Sequence, residues 1–183
     1  MIWKYFQVKK VISFVLACVV MLTSSISVAF ADASEYEGAF GVITNAEGEV
    51  VEVIPMTRAT YYDKRITLTP GDTLTTYQYE PNDTFFAGFW FCNRDDEWTT
   101  RNGSVLIELY GSGTIGGDGK TLWDSCTFST NLEDNRNNPY FEGYDGYRIS
   151  MKAHPTKTMR YFNAKYTNKS SFTINLNVTV GMD

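Results

Sequence analysis

Histidine is almost missing from this chain: His154 is the only one in 183 residues. Cysteine is scarce, limited to Cys18, Cys92 and Cys126. No cluster of His and Cys at metal-ligand spacing can be assembled from so few residues, which leaves a structural zinc site without support. A Ser-His-Asp hydrolase would have to use His154, and no G-x-S-x-G elbow accompanies it. There is no basic block either. The chain has 16 basic against 21 acidic residues. Such a surface repels nucleic acid and anionic lipid, so no nucleic-acid partner is expected. Long apolar runs are also lacking. The longest, Val11 to Leu22, spans about 12 residues and falls short of the roughly 20 that cross a bilayer. Stable membrane anchoring is therefore not expected.

That apolar run has a different meaning in its context. Lys4, Lys9 and Lys10 precede it, and Ala29-Phe30-Ala31 supplies a small-x-small pattern just before Asp32. Residues 1–31 thus read as a cleavable signal peptide of bacterial type, cut after Ala31. Val15-Leu16-Ala17-Cys18 loosely resembles a lipobox, but Val19-Val20-Met21-Leu22 stays apolar past the cysteine. Cleavage leaves 152 residues with 13 basic and 21 acidic, a net charge of −8. Residues 32–37 form a short N-terminal tail, and 38–183 suit one domain with a sizeable core. With 43% hydrophobic and 15% aromatic residues, disorder is excluded. In an oxidising compartment, Cys92 and Cys126 are expected to form a disulfide.

Period-2 patterning dominates the mature part, and helical periodicity is nearly absent. Phe172, Ile174, Leu176, Val178 and Val180 alternate with Thr173, Asn175, Asn177 and Thr179. That pattern is a strand with one face on a core. Met159 to Tyr166 is β-prone and is expected to pair with it as a hairpin across Asn168-Lys169-Ser170. Phe40 to Thr44 and Val50 to Met56 flank Asn45-Ala46-Glu47-Gly48, a second hairpin. Pro70-Gly71 has the chemistry of a type II turn, after Ile66-Thr67-Leu68 and before a strand from Leu74 to Tyr79. Phe85 to Cys92 reads as a central strand. Val105 to Tyr110, Thr121 to Phe128 and Tyr147 to Lys152 complete about nine or ten short strands. The expected fold is an all-β, antiparallel, jelly-roll-like sandwich.

Function is expected on the loops. Gly111-Ser112-Gly113-Thr114-Ile115-Gly116 matches G-x-G-x-x-G, but Gly117-Asp118-Gly119 follows where a phosphate-binding helix would have to start. The match reads as a glycine-rich hairpin loop. The stretches from Asn93 to Glu97 and from Asn131 to Asn138 hold oxygen donors suited to calcium, without EF-hand spacing. No other cofactor is implied. Acidic loop residues such as Glu133 and Glu142 invite a glycosidase reading, but no pair can be bracketed at catalytic separation. The favoured signal is aromatic. Trp98, Tyr140 and Tyr144 lie in polar loops, whereas Trp90 and Trp123 fall in strands and read as core. A Trp or Tyr face stacks on sugar rings or anchors a protein partner, and Asp95 and Asp145 would hydrogen-bond the ligand. The chain is therefore expected to be an extracellular, non-catalytic binding module for carbohydrate or protein. Two alternatives are a β-pore-forming antimicrobial protein or toxin, suggested by the alternating strand at Phe172 to Val180, and a small hydrolase using His154.

Overall fold

Alternating apolar residues bury one face of a strand, and two such sheets satisfy each other by stacking. The computed structural model describes residues 39–56, 61–92, 103–116, 120–135, 137–142 and 148–182. Among the described residues, eleven strands run in chain order: β1 (Ala39–Thr44), β2 (Val50–Pro55), β3 (Tyr61–Leu68), β4 (Thr73–Thr76), β5 (Phe85–Phe91), β6 (Ser104–Ser112), β7 (Thr121–Ser129), β8 (Phe141–Glu142), β9 (Arg148–Ala153), β10 (Tyr161–Asn168) and β11 (Ile174–Met182). They form an antiparallel β-sandwich. One sheet has six strands in the order β2-β1-β4-β10-β6-β7, and the other five in the order β3-β11-β5-β9-β8.

The core lies between the two inner faces. Val105, Ile107 and Leu109 on β6 and Phe162, Ala164 and Tyr166 on β10 meet Phe85, Ala87 and Phe89 on β5 and Ile174, Leu176, Val178 and Val180 on β11. Phe89 sits edge-on to Phe91, Phe128 and Tyr166, with centroids 5.2, 5.9 and 6.3 Å away. Such pairs add to the area they bury. Tyr166 crosses the core completely, and its hydroxyl donates to Gly88 O of the opposite sheet at 3.4 Å. The alternation of β11 is thus spent on packing: every apolar residue from Ile174 to Val180 faces the core.

Three of the connections are hairpins within a sheet, β1–β2, β6–β7 and β8–β9. The expected β10–β11 hairpin is corrected. β10 pairs with β4 and β6, whereas β11 pairs with β3 and β5 in the other sheet. The segment after Asn168 reverses the chain between layers. Asn168 sets this crossing. It is fully buried; its Nδ2 donates to Leu68 O at 3.0 Å and Phe172 O at 2.9 Å, while its Oδ1 accepts from Ser170 N at 2.8 Å. The β3–β4 crossing lies against the same residue, with Gly71 N donating to Asn168 O at 3.0 Å. The expected turn is present there. Gly71 has φ 85°, Asp72 N donates to Thr69 O at 3.1 Å, and Asp72 Oδ2 accepts from Thr69 N at 2.8 Å.

Asn168→Ala removes the bonds this amide gives to three main-chain groups, two of those bonds buried and one part-buried. Each such group costs about 1–3 kcal/mol, so a loss of about 3 kcal/mol or more is expected. Urea unfolding should show a lower midpoint with an unchanged slope.

Candidate functional site

The β7–β8 side of the sandwich carries an aromatic edge built by a bulge. β7 follows β6 in register from Ser104↔Ser129, but Leu109 pairs with Asp124 and Tyr110 with Leu122. Trp123 is the extra residue. A bulge re-aims the side chains beside it. Asp124, Cys126 and Phe128 share the inward parity of Leu109, Ile107 and Val105, while Leu122 follows Tyr110 to the outer face. The Trp123 ring meets Phe162 edge-on at 5.7 Å yet stays 37% exposed. The ring is fixed by the core on one side and open to solvent on the other.

The segment after β7 brings a second ring to this edge. Asn135 is buried; its Oδ1 accepts from Ser129 N at 2.9 Å and its Nδ2 donates to Ser129 O at 2.7 Å. Ser129 Oγ donates to Asp134 Oδ2 at 3.0 Å. Asn138 then accepts from Tyr140 N at 3.1 Å and donates to Cys126 Sγ at 3.0 Å. Tyr140, half-buried, donates its hydroxyl to Asp124 Oδ2 and its carbonyl accepts from Ser150 N at 3.1 Å. The Asp124 hydrogen bond, then burial, then the charges of Asp124 and Cys126 push the Tyr140 phenol up to about 12. The phenol remains a donor throughout the physiological range. The edge therefore offers two orientated aromatic residues and a carboxylate, Trp123 and Asp124 on β7 and Tyr140 in the turn before β8. That set can stack on an apolar ring face and accept hydrogen bonds.

Among the sequence-predicted site residues, the structure places Tyr140 here. Asp95 and Trp98, and Tyr144 and Asp145, lie outside the described residues. Their flanks are informative. β5 ends and β6 begins at the same end of the sandwich as the β7–β8 connection, and so do the end of β8 and the start of β9. Trp123 was expected in the core, and its exposure corrects that. The signal was present in the sequence: Leu122-Trp123 interrupts the alternation of its strand, as a bulge does.

The Cys92–Cys126 disulfide is also corrected: the two sulfurs are not joined. Cys126 takes the inward parity of β7, whereas Cys92 follows Phe91 with the outward parity of Trp90 in the opposite sheet. Count and compartment pair cysteines, but strand parity keeps these two apart. Calcium finds no site among the described residues, which hold no group of three or more metal-ligating side chains. In the stretch from Asn131 to Asn138, Asp134, Asn135 and Asn138 spend oxygens on the internal bonds given above. His154 is exposed. Its Nδ1 lies 3.1 Å from Asp83 O and 3.3 Å from Thr84 Oγ1, while Thr84 Oγ1 donates to Asp83 Oδ2 at 3.0 Å. Facing a carbonyl, Nδ1 carries the proton and donates, the reverse of what a general base for Thr84 must do. The element that follows the glycine-rich segment is the antiparallel strand β7, whereas a phosphate-binding motif continues into a helix.

No family model matches this sequence, and no curated protein matches it. Solved structures do resemble it. A Yersinia pseudotuberculosis-derived mitogen is 13% identical with TM-score 0.41, over 67% of this chain and 86% of that one. A carbohydrate-binding module specific for non-crystalline cellulose is 14% identical with TM-score 0.38, over 78% and 82%. The K3 cleaved adhesin domain of Lys-gingipain from Porphyromonas gingivalis is 12% identical with TM-score 0.37, over 79% and 94%.

Because the fold holds the Tyr140 phenol protonated, its ionisation opposes folding. The contribution is intact below pH 10 and is lost as pH rises through about 12. Tyr110, raised to about 12 mainly by burial and then by Glu108, adds to the same window. Tyr140→Phe should reduce the alkaline loss of stability there, measured as urea midpoints across the range. Separately, iodoacetamide in denaturant without reductant should alkylate both Cys92 and Cys126, read by mass spectrometry of their peptides.

Proposed function

We propose that this chain is an exported, non-catalytic binding module that holds a carbohydrate at its β7–β8 edge. One observation carries the reading: Trp123 is locked against Phe162 by a bulge, yet over a third of it is open to solvent. The contact with Phe162 fixes the ring, and the part left in solvent gains nothing from packing, but its fixed orientation prepays the ordering cost of stacking on a sugar. Tyr140, anchored to Asp124, supports that surface. Trp98 and Tyr144, with Asp95 and Asp145 as hydrogen-bonding residues, would add contacts at the end of the sandwich where β7 finishes. Export follows from the charged, apolar leader and cleavage after Ala31.

A protein partner is the second reading, favoured by the opposite edge. β2 is an outer strand whose Val50, Val51 and Val53 are 41, 61 and 39% exposed. An apolar edge strand of this kind accepts another strand through main-chain bonds.

A glycan array probed with the wild type, Trp123→Ala and Tyr140→Ala separates these readings. The carbohydrate reading expects each substitution to weaken retained glycans about tenfold, near 1.4 kcal/mol. Unchanged glycan binding by both substituted chains would overturn it.

A further inference from the structure

The outer face of the six-stranded sheet holds a polar cluster that the edge site does not use. Asn163 on β10 is fully buried, and neither its Nδ2 nor its Oδ1 has a hydrogen-bond partner. Its neighbours Phe162 and Ala164 point into the core, so the amide projects to the opposite side of the sheet. Register places it opposite Tyr110 on β6. The bridge Tyr79↔Phe162 places Gln78 beside it on the other flank. The Gln78 side chain crosses β10: Nε2 donates to Ser112 Oγ at 3.2 Å, and Oε1 accepts from Gly116 N at 2.6 Å. It is a strap, tied to the tip of the β6–β7 hairpin. Beyond it, the Tyr110 hydroxyl donates to Glu108 Oε1 at 3.0 Å, and Lys165 Nζ lies 5.0 Å from the Tyr110 ring centroid.

A buried amide with both functions unmet is costly, and an apolar residue of the same shape would remove the cost. Its retention points to a use. We propose that this face is a second carbohydrate-binding site, closed by the Gln78 strap, in which the Asn163 amide engages two adjacent sugar hydroxyls beside the Tyr110 ring. A primary amide presents a donor and an acceptor side by side. Vicinal hydroxyls on a pyranose match that pair, one accepting and one donating. The N–H and C=O of a secondary acetamide point in opposite directions and do not. Tyr110 offers its apolar ring to the sugar's C–H face, and Glu108 accepts a further hydroxyl. The site shares its ligand class with the edge reading but none of its residues, so either stands without the other.

Calorimetric titration of the full chain, in both the wild-type and Trp123→Ala backgrounds, tests this. The probes are cellohexaose and xylohexaose, which carry a C2–C3 hydroxyl pair on every unit, and chitohexaose, whose C2 acetamido groups remove that pair. The diol probes should bind at least about tenfold more tightly than chitohexaose. Gln78→Ala should tighten them severalfold, because no strap has to be displaced. Asn163→Leu should abolish binding in the Trp123→Ala background while keeping or raising the urea midpoint. The proposal is overturned if Asn163→Leu binds like its parent, or if Gln78→Ala binds none of the probes. It is equally overturned if Asn163→Leu loses stability, since a trapped water then satisfies the amide.

Discussion

Asn168 is the constraint on which the two-layer arrangement depends. A sandwich needs its chain to leave one sheet and enter the other without stranding main-chain groups in the core. Two such passages, β3 to β4 and β10 to β11, converge on this one buried amide. Its side chain closes the carbonyls of Leu68 and Phe172, and its own carbonyl receives Gly71 N. The register of four strands in two sheets is thereby set at a single position. The edge site inherits that rigidity, because Phe162, against which Trp123 rests, lies on the strand that Asn168 terminates.

What the sequence made legible was local. The Asn45–Gly48 hairpin is readable because the turn chemistry and both strands lie within a few residues. Gly48 adopts φ 85° and Asn45 Oδ1 accepts from Glu49 N at 2.8 Å. The type II turn at Pro70-Gly71 was readable for the same reason. Whether a turn keeps the chain in one sheet or carries it to the other is a different matter. Asn168-Lys169-Ser170 has a turn composition in either case, and the answer came from bonds to Leu68, 100 residues away. The layering as a whole was legible, since period-2 alternation in strand after strand leaves two stacked sheets as the solution.

The site was legible in kind more than in position. An aromatic residue in a polar loop pointed to Tyr140, and the structure sets it at an edge beside Asp124. Trp123 was hidden by the equation of strand with core. That equation fails on outer strands and fails again at bulges, and β7 is both. The cysteines show the complementary error. Their number and setting suggested a bond that the alternation of β5 and β7 forbids. Asn163 was invisible for a related reason: its parity is that of an exposed residue, and the strap that buries it comes from Gln78, 85 positions earlier.

The strand order also governs how the molecule can be assembled. β11, the final strand in chain order, lies inside the five-stranded sheet between β3 and β5, and β10 lies inside the other between β4 and β6. A nascent polypeptide lacking these segments has both sheets split, into β2-β1-β4 and β6-β7 on one side and into β5-β9-β8 and an unpaired β3 on the other. Topologies dominated by such distant pairings fold slowly, because loop closure precedes the reward. Both sheets are therefore completed only when the last two strands are available to close them.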